Sequence, residues 1–249
     1  MDSSTTQILA ILALVTTLVV LAVLSRRRRR PFALRPIDAY AQMPEIIGTT
    51  IEADRPLHLS FGSAGIGGSS TVIALAAAEL AYQLTRRAAI GDTSPLLTLS
   101  STSAIPLGQD TLRRAYQQRD LSERYSPTAT RWYPAGRRSL AFAAALSAML
   151  SDERVGGSVL AGSYGPELAL IMISSQRLQQ PVIAVSDQVD GQAIAYALSD
   201  KTLIGEEVFT AGAYLGDNPN ASSIAVATDV LRWALILAML GGLISTLGG

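Results

Sequence analysis

The chain contains no cysteine, one histidine and one lysine among its 249 residues. Without thiols there can be no disulfide, thiolate nucleophile, iron–sulfur cluster or cysteine-based zinc site. A single imidazole, His58, rules out a two-histidine metal centre and leaves one candidate imidazole base. Charge is scarce too: 16% of residues are charged against 49% hydrophobic, which is apolar for a soluble protein. The only lysine, Lys201, is far along the chain from any glycine-rich turn. That removes the phosphate-gripping Lys of a P-loop and the Tyr-x-x-x-Lys pair of short-chain dehydrogenases. No G-x-S-x-G elbow occurs either.

What charge there is sits unevenly. Arg26, Arg27, Arg28, Arg29 and Arg30 are consecutive, and Arg35 follows them. Residues 38–229 hold 13 basic and 19 acidic side chains, a net charge of −6. An acidic globular part argues against a nucleic-acid partner, which needs a clustered basic surface. The arginines suit a membrane boundary, where they would meet anionic lipid head groups.

Two apolar runs supply that boundary. Residues 8–24, "ILAILALVTTLVVLAVL", carry no charge and as a helix would rise roughly 26 Å, close to the hydrocarbon thickness. Positive charge follows this run and the leader "MDSSTTQ" is acidic, the reverse of a secretory signal peptide. The positive-inside rule then places the arginines in the cytoplasm. Residues 233–247, "WALILAMLGGLISTL", form a second, shorter run with Arg232 and Trp233 as interfacial anchors. A docked core helix is the alternative for it. Ala234, Ala238, Gly242 and Thr246 recur every four residues, a stripe that lets membrane helices approach closely in an antiparallel pair or a homo-oligomer. The expectation is a two-pass protein of the cell membrane with its main domain in the cytoplasm.

The expected divisions are an anchor with polybasic flank at 1–30, a linker at 31–55, an α/β domain at 56–230 and a second transmembrane helix at 231–249. Pro31, Pro36 and Pro44 argue against a continuous helix over 31–50. Beyond them, strand-like runs at 56–61, 95–101, 157–162 and 181–187, with a weaker one at 130–133, alternate with helical patterns. The helices are expected at 70–87, 109–119, 137–150, 166–178, 191–198 and 206–214. Such alternation predicts a Rossmann-like three-layer sandwich with a mostly parallel sheet.

The stretch "HLSFGSAGIGGSS" joins the first strand to an alanine-rich helix. Gly62, Gly65 and Gly68 form G-x-x-G-x-x-G, with Gly67 beside them, in the context a dinucleotide fingerprint requires. Ser69, Ser70 and Thr71 could cap the helix or donate to phosphate, and Ser63 is expected near the candidate crevice described below. Against that reading, "SSTS" at 100–103 replaces the acidic residue expected after the second strand. The other reading is that the glycines permit positive φ and close backbone approach.

A second glycine turn, "AGSYGPE", contains Gly162, Ser163 and Tyr164. If the sheet order sets the two turns side by side, they line one crevice together with Asp187 at the carboxyl edge. A nucleotide is one possible cofactor; no feature names another. His58, inside a strand, reads as a core or edge residue more readily than a base. Asp187 and Asp190 could hold a divalent cation with phosphate, although turn capping is their ordinary use.

Taken together, "RPIDAYAQMPE", "HLSFGSAGIGG", "AGSYGPE" and "IGEEVFTAGAYLG" resemble an uncharacterised bacterial family of membrane-anchored proteins, defined as a domain of unknown function. The resemblance covers most of the chain from Arg35 onward. It implies a membrane-bound bacterial protein and supplies no catalytic residue. The function expected is therefore a scaffold, accessory subunit or ligand sensor. The alternative is a membrane-tethered nucleotide- or phosphate-ligand-binding enzyme using the first glycine turn.

Overall fold

The computed structural model of the chain describes residues 34–199, 201–216 and Met239. The chain divides into two compact units, Pro36–Ala211 and a second made of Met1–Arg35 with Gly212–Gly249. Among the described residues, no helix is long and apolar enough to cross a membrane. Apart from Met239, the apolar runs at 8–24 and 233–247 lie outside the described residues, and so do Arg26 to Arg30. In the second unit, the Tyr214 hydroxyl donates to the Arg35 carbonyl at 2.5 Å.

The unit Pro36–Ala211 is built on five strands, all parallel: β1 Leu57–Gly62, β2 Leu96–Leu99, β3 Thr130–Trp132, β4 Gly157–Ser163 and β5 Val182–Ser186. Their spatial order is β3-β2-β1-β4-β5, the Rossmann-like arrangement. β1 and β4 are buried along their whole length, as a sheet covered on both faces requires. Six main helices complete the unit: α1 Asp38–Glu52, α2 Thr71–Ala88, α3 Ile105–Gln117, α4 Leu140–Asp152, α5 Leu168–Arg177 and α6 Val189–Leu198.

Strand alternation sorts the side chains between two helical layers. Leu59, Phe61, Val159 and Ala161 meet Ala77, Leu80, Ala81 and Leu84 of α2. Leu96, Leu160 and Ala184 join a core with Leu146 and Leu150 of α4, Ile171 and Met172 of α5, and Ala195 of α6. On the α2 side, α3 lies flush on β2. A Cβ at Gly108 would come within 2.7 Å of Leu97 Cδ2 and 3.3 Å of Leu99 Cδ2.

Three expectations need correction. Residues 38–52, expected within a linker, form α1 and bury Ala39, Tyr40, Met43, Ile46, Ile47 and Thr50. That spacing of three and four is an amphipathic face, and it outweighs Pro44 because Pro44 is exposed and the lost backbone bond falls toward water. The helix expected from Arg137 begins at Leu140 instead. Gly136, Arg138 and Ser139 all take positive φ, so the chain turns there before it can coil. The helix expected at 206–214 is a tighter 3-10 segment, Gly205–Thr210, followed by a single α turn, Ala211–Tyr214.

Candidate functional site

Because β1 and β4 are neighbours, the two glycine turns lie side by side at the carboxyl edge of the sheet, where the strand order reverses. Gly62 is in register with Ser163. Its φ of +60° suits glycine, and a Cβ there would collide with the Ser163 carbonyl and lie 2.8 Å from the Tyr164 ring. A Cβ on Gly162 would in turn collide with the Phe61 carbonyl. The glycines let two backbones touch.

A phosphate cradle needs free amide donors, and this loop has spent its own. From Ser63 to Gly68 every backbone N–H has an acceptor inside the protein. Ser63 N–H donates to the Ser163 carbonyl at 2.9 Å and Ala64 N–H to Phe61 at 3.1 Å. Gly65 N–H donates to Ser70 Oγ at 3.1 Å and Ile66 N–H to Ser103 Oγ at 3.0 Å. Gly67 and Gly68 both donate to Thr71 Oγ1, at 3.0 and 3.1 Å. The "SSTS" stretch is thus a packing partner of the glycine turn. Ser103 caps it, and a Cβ on Gly65 would run into the Ser101 hydroxyl.

The second turn is closed in the same manner. Tyr164 is fully buried, its N–H donates to Ser186 Oγ at 3.0 Å, and Ser186 Oγ–H donates back to the Tyr164 carbonyl at 2.7 Å. Gly165 N–H donates to the Glu167 carboxylate at 2.9 Å. Glu167 is only 7% exposed and stands immediately before α5. The carboxylate thus closes the turn before α5, while the first amides of α5 donate to the Gly165, Pro166 and Glu167 carbonyls. Ser163 Oγ accepts from Gln188 Nε2 at 2.9 Å. Burial drives the Tyr164 phenol well above its ordinary range, so it stays protonated.

His58 lies in the centre of the sheet, fully buried. Its Nε2 is 2.8 Å from Thr98 Oγ1 on β2 and its Nδ1 3.2 Å from Ser158 Oγ on β4. Burial, and secondarily the Arg131 charge, lower its pKa to about 3. It is a neutral cross-strand tie, out of reach of solvent. Among the described residues no group of three His, Asp or Glu side chains is placed to hold a metal, Asp187 and Asp190 included.

The open space lies to one side of the glycine turns. A groove of about 640 Å³ runs between the first turn of α2, the end of β5, α6 and the Gly205–Thr210 segment. Its apolar lining is Val72, Ile73, Val189, Ala193, Tyr196, Ile204 and Phe209. Val189 is 83% exposed and Tyr196 70%, far beyond what scattered surface hydrophobics explain when they adjoin. The polar lining is largely committed elsewhere. Gln192 Nε2 donates to the Leu203 carbonyl at 2.8 Å and Gln192 Oε1 accepts from Ser186 N–H at 2.9 Å. Asp187, exposed, is the one formally charged residue among those lining the groove.

Of the expected ligand-binding residues, Ser69 and Asp187 line this groove, Gly62, Ser63, Gly65, Gly162, Ser163 and Tyr164 make up the closed crevice beside it, and Gly67 and Gly68 are exposed with open space around them. Val189, Ala193 and Tyr196, spaced four and three apart on α6, were the available sequence signal for it.

The strand order and the paired turns define an α/β protein of the Rossmann-like class whose phosphate-type loops are closed by their own side chains. The chain belongs to the family described as a domain of unknown function (DUF6754), which matches residues 1–248. No curated protein and no solved structure matches it.

Proposed function

We propose that the protein is a two-pass membrane protein that presents its α/β unit at the cytoplasmic surface as a ligand-sensing or scaffolding module, with the carboxyl-edge groove as the receiving site. The observation that carries this is the contrast at that edge: a sealed polar crevice beside an open apolar groove of ligand size. The uncharged runs at 8–24 and 233–247 and the five arginines support the membrane part, with anionic lipid head groups as partners of the arginines. The small-residue stripe at 234–246 supports a homo-oligomer or a membrane-protein partner. The rival, a nucleotide enzyme, needs loop amides that Ser70, Ser103 and Thr71 already engage.

Two measurements test the reading. After alkaline carbonate treatment the protein is expected to stay with the membrane, and protease is expected to reach the unit only in inside-out vesicles. Release into the supernatant contradicts the anchoring. A library screen of the full chain in nanodiscs is expected to find saturable thermal stabilisation that Ala193→Trp abolishes. Stabilisation that survives that groove-filling change places the ligand elsewhere.

A further inference from the structure

We infer that the outer face of α4 and α5 docks a second copy of this chain, with the two α4 helices antiparallel across a twofold axis. This stands apart from the groove and from the membrane reading. Three observations lead there. First, the face lacks charge where the opposite layer has it. α4 holds no charged residue before Asp152, and α5 none before Arg177. On α3, in the other layer, Arg113 and Arg114 form exposed ion pairs with Asp110. α4 and α5 pack side by side. Leu140 on α4 is 50% exposed, and Leu170 and Ile173 on α5 are 47% and 39% exposed. The apolar exposure is thus shared by two neighbouring helices rather than scattered singly.

Second, α4 is shaped for close approach. Ala141, Ala144 and Ala148, spaced three and four apart, are all exposed. A helix face of alanines lets another helix come to about 8 Å, the near limit for packed helices.

Third, the charges at the two ends of α4 suit an antiparallel neighbour. Arg137 and Arg138 stand exposed just before its N-terminus, and Asp152 stands exposed at its C-terminus. Arg137 and Asp152 have no ion pair among the described residues. Each has the wrong sign for the dipole of its own helix, with cations at the positive end and an anion at the negative end. An antiparallel α4 reverses both relations. With Ala141 opposite the partner's Ala148, Arg137 comes opposite the partner's Asp152, and the twofold axis repeats the pair. The same axis sets α5 over the partner's α5, covering Leu170 and Ile173. Arg177 then comes to the Glu167 end of the partner's α5, while Arg154 lies past α4 in a positive-φ turn leading to β4. A bilayer suits this face less well. An interfacial helix is lined by cations and aromatic side chains, and the exposed face of α4 has neither along its length.

The absence of cysteine makes the test direct. Full-length Ala144→Cys in mild detergent is treated with a short bis-maleimide, beside Gln117→Cys at the exposed end of α3 in the other layer. We expect a crosslinked dimer from Ala144→Cys and only background from Gln117→Cys. Added to Ala144→Cys, either Arg137→Glu or Asp152→Arg should cut crosslinking about tenfold, because each turns two attractive pairs into repulsive ones. The double reversal should restore it. Each single reversal agrees with the helix dipole, so the melting temperature should hold or rise, and the lost crosslinking then reports docking rather than folding.

Equal crosslinking at the two positions, single reversals without effect, or a double reversal that does not recover each overturns the inference. Protection of Ala144→Cys from a soluble maleimide by phosphatidylcholine vesicles, without a dimer, gives the face to a bilayer and overturns it as well.

Discussion

Two regions share one edge of the sheet and have opposite chemistry. The crevice between β1 and β4 is polar and closed: glycine backbones touch, hydroxyls of Ser70, Thr71 and Ser103 fill the loop, and the Glu167 carboxylate takes up the Gly165 N–H. The groove beside β5 is apolar and open, with Ser186 and Gln192 turned to internal tasks. A strand-to-helix turn with free amides is an anion site; the same turn with its amides engaged is a packing device. The glycine spacing alone does not distinguish them. The side chains one turn further along do.

The largest effect expected from breaking this contrast is on the closed side. Gly162→Ala drives a Cβ into the Phe61 backbone and should destabilise the protein by about 3 kcal/mol or more in urea denaturation. Ala193→Trp on the open side should leave that midpoint nearly unchanged, because Ala193 is exposed. Equal losses from the two changes would erase the distinction.

His58 gives a pH signature of the closed sheet. Its folded pKa of about 3 lies below the unfolded value of 6.5, so above 6.5 both states are neutral and stability is complete. As the pH falls below 6.5 the unfolded chain takes up a proton that the folded one refuses. Relative to His58→Gln, the wild type should lose about 2 kcal/mol by pH 5. Parallel pH profiles for the two proteins would show that the imidazole is not held neutral.

Glu167→Ala sharpens the comparison by freeing the Gly165 N–H. We expect a loss of about 1–2 kcal/mol from the broken bond to Gly165 N–H, together with a new stabilisation by inorganic phosphate that the wild type lacks. A variant with no phosphate response would mean that the carboxylate is not standing in for an anion. The smallest effect belongs to Gly68→Ala. Nothing lies within 4 Å of its added Cβ, so stability should stay within about 0.5 kcal/mol.

Much of the frame was legible before the structure. β1, β4 and β5 are short apolar runs bounded by turn residues, and the alternation with helices led directly to a parallel sheet. α1 was hidden because Pro44 counts against a helix in any local reading, and only tertiary packing reveals that its missing N–H faces water. The sequence offers Ser70 and Thr71 as helix caps or phosphate donors, yet here their oxygens accept from the loop instead. The spacing of Val189, Ala193 and Tyr196 was the one sequence signal for the groove, which arises where four separated segments converge. Its lining residues, such as Val72 and Phe209, look like ordinary core positions in sequence.

The central claim is that the glycine loop is closed and the groove is the receiving surface. Its most direct test is thermal unfolding of the full chain in nanodiscs titrated with ATP, NAD and inorganic phosphate, beside Gly68→Asp. Gly68 is the suitable position for a carboxylate because it has open space, whereas Gly65 abuts Ser101. The account predicts no saturable shift with any of the three in the wild type. A saturable rise in melting temperature that Gly68→Asp abolishes would contradict it and make the loop the binding site.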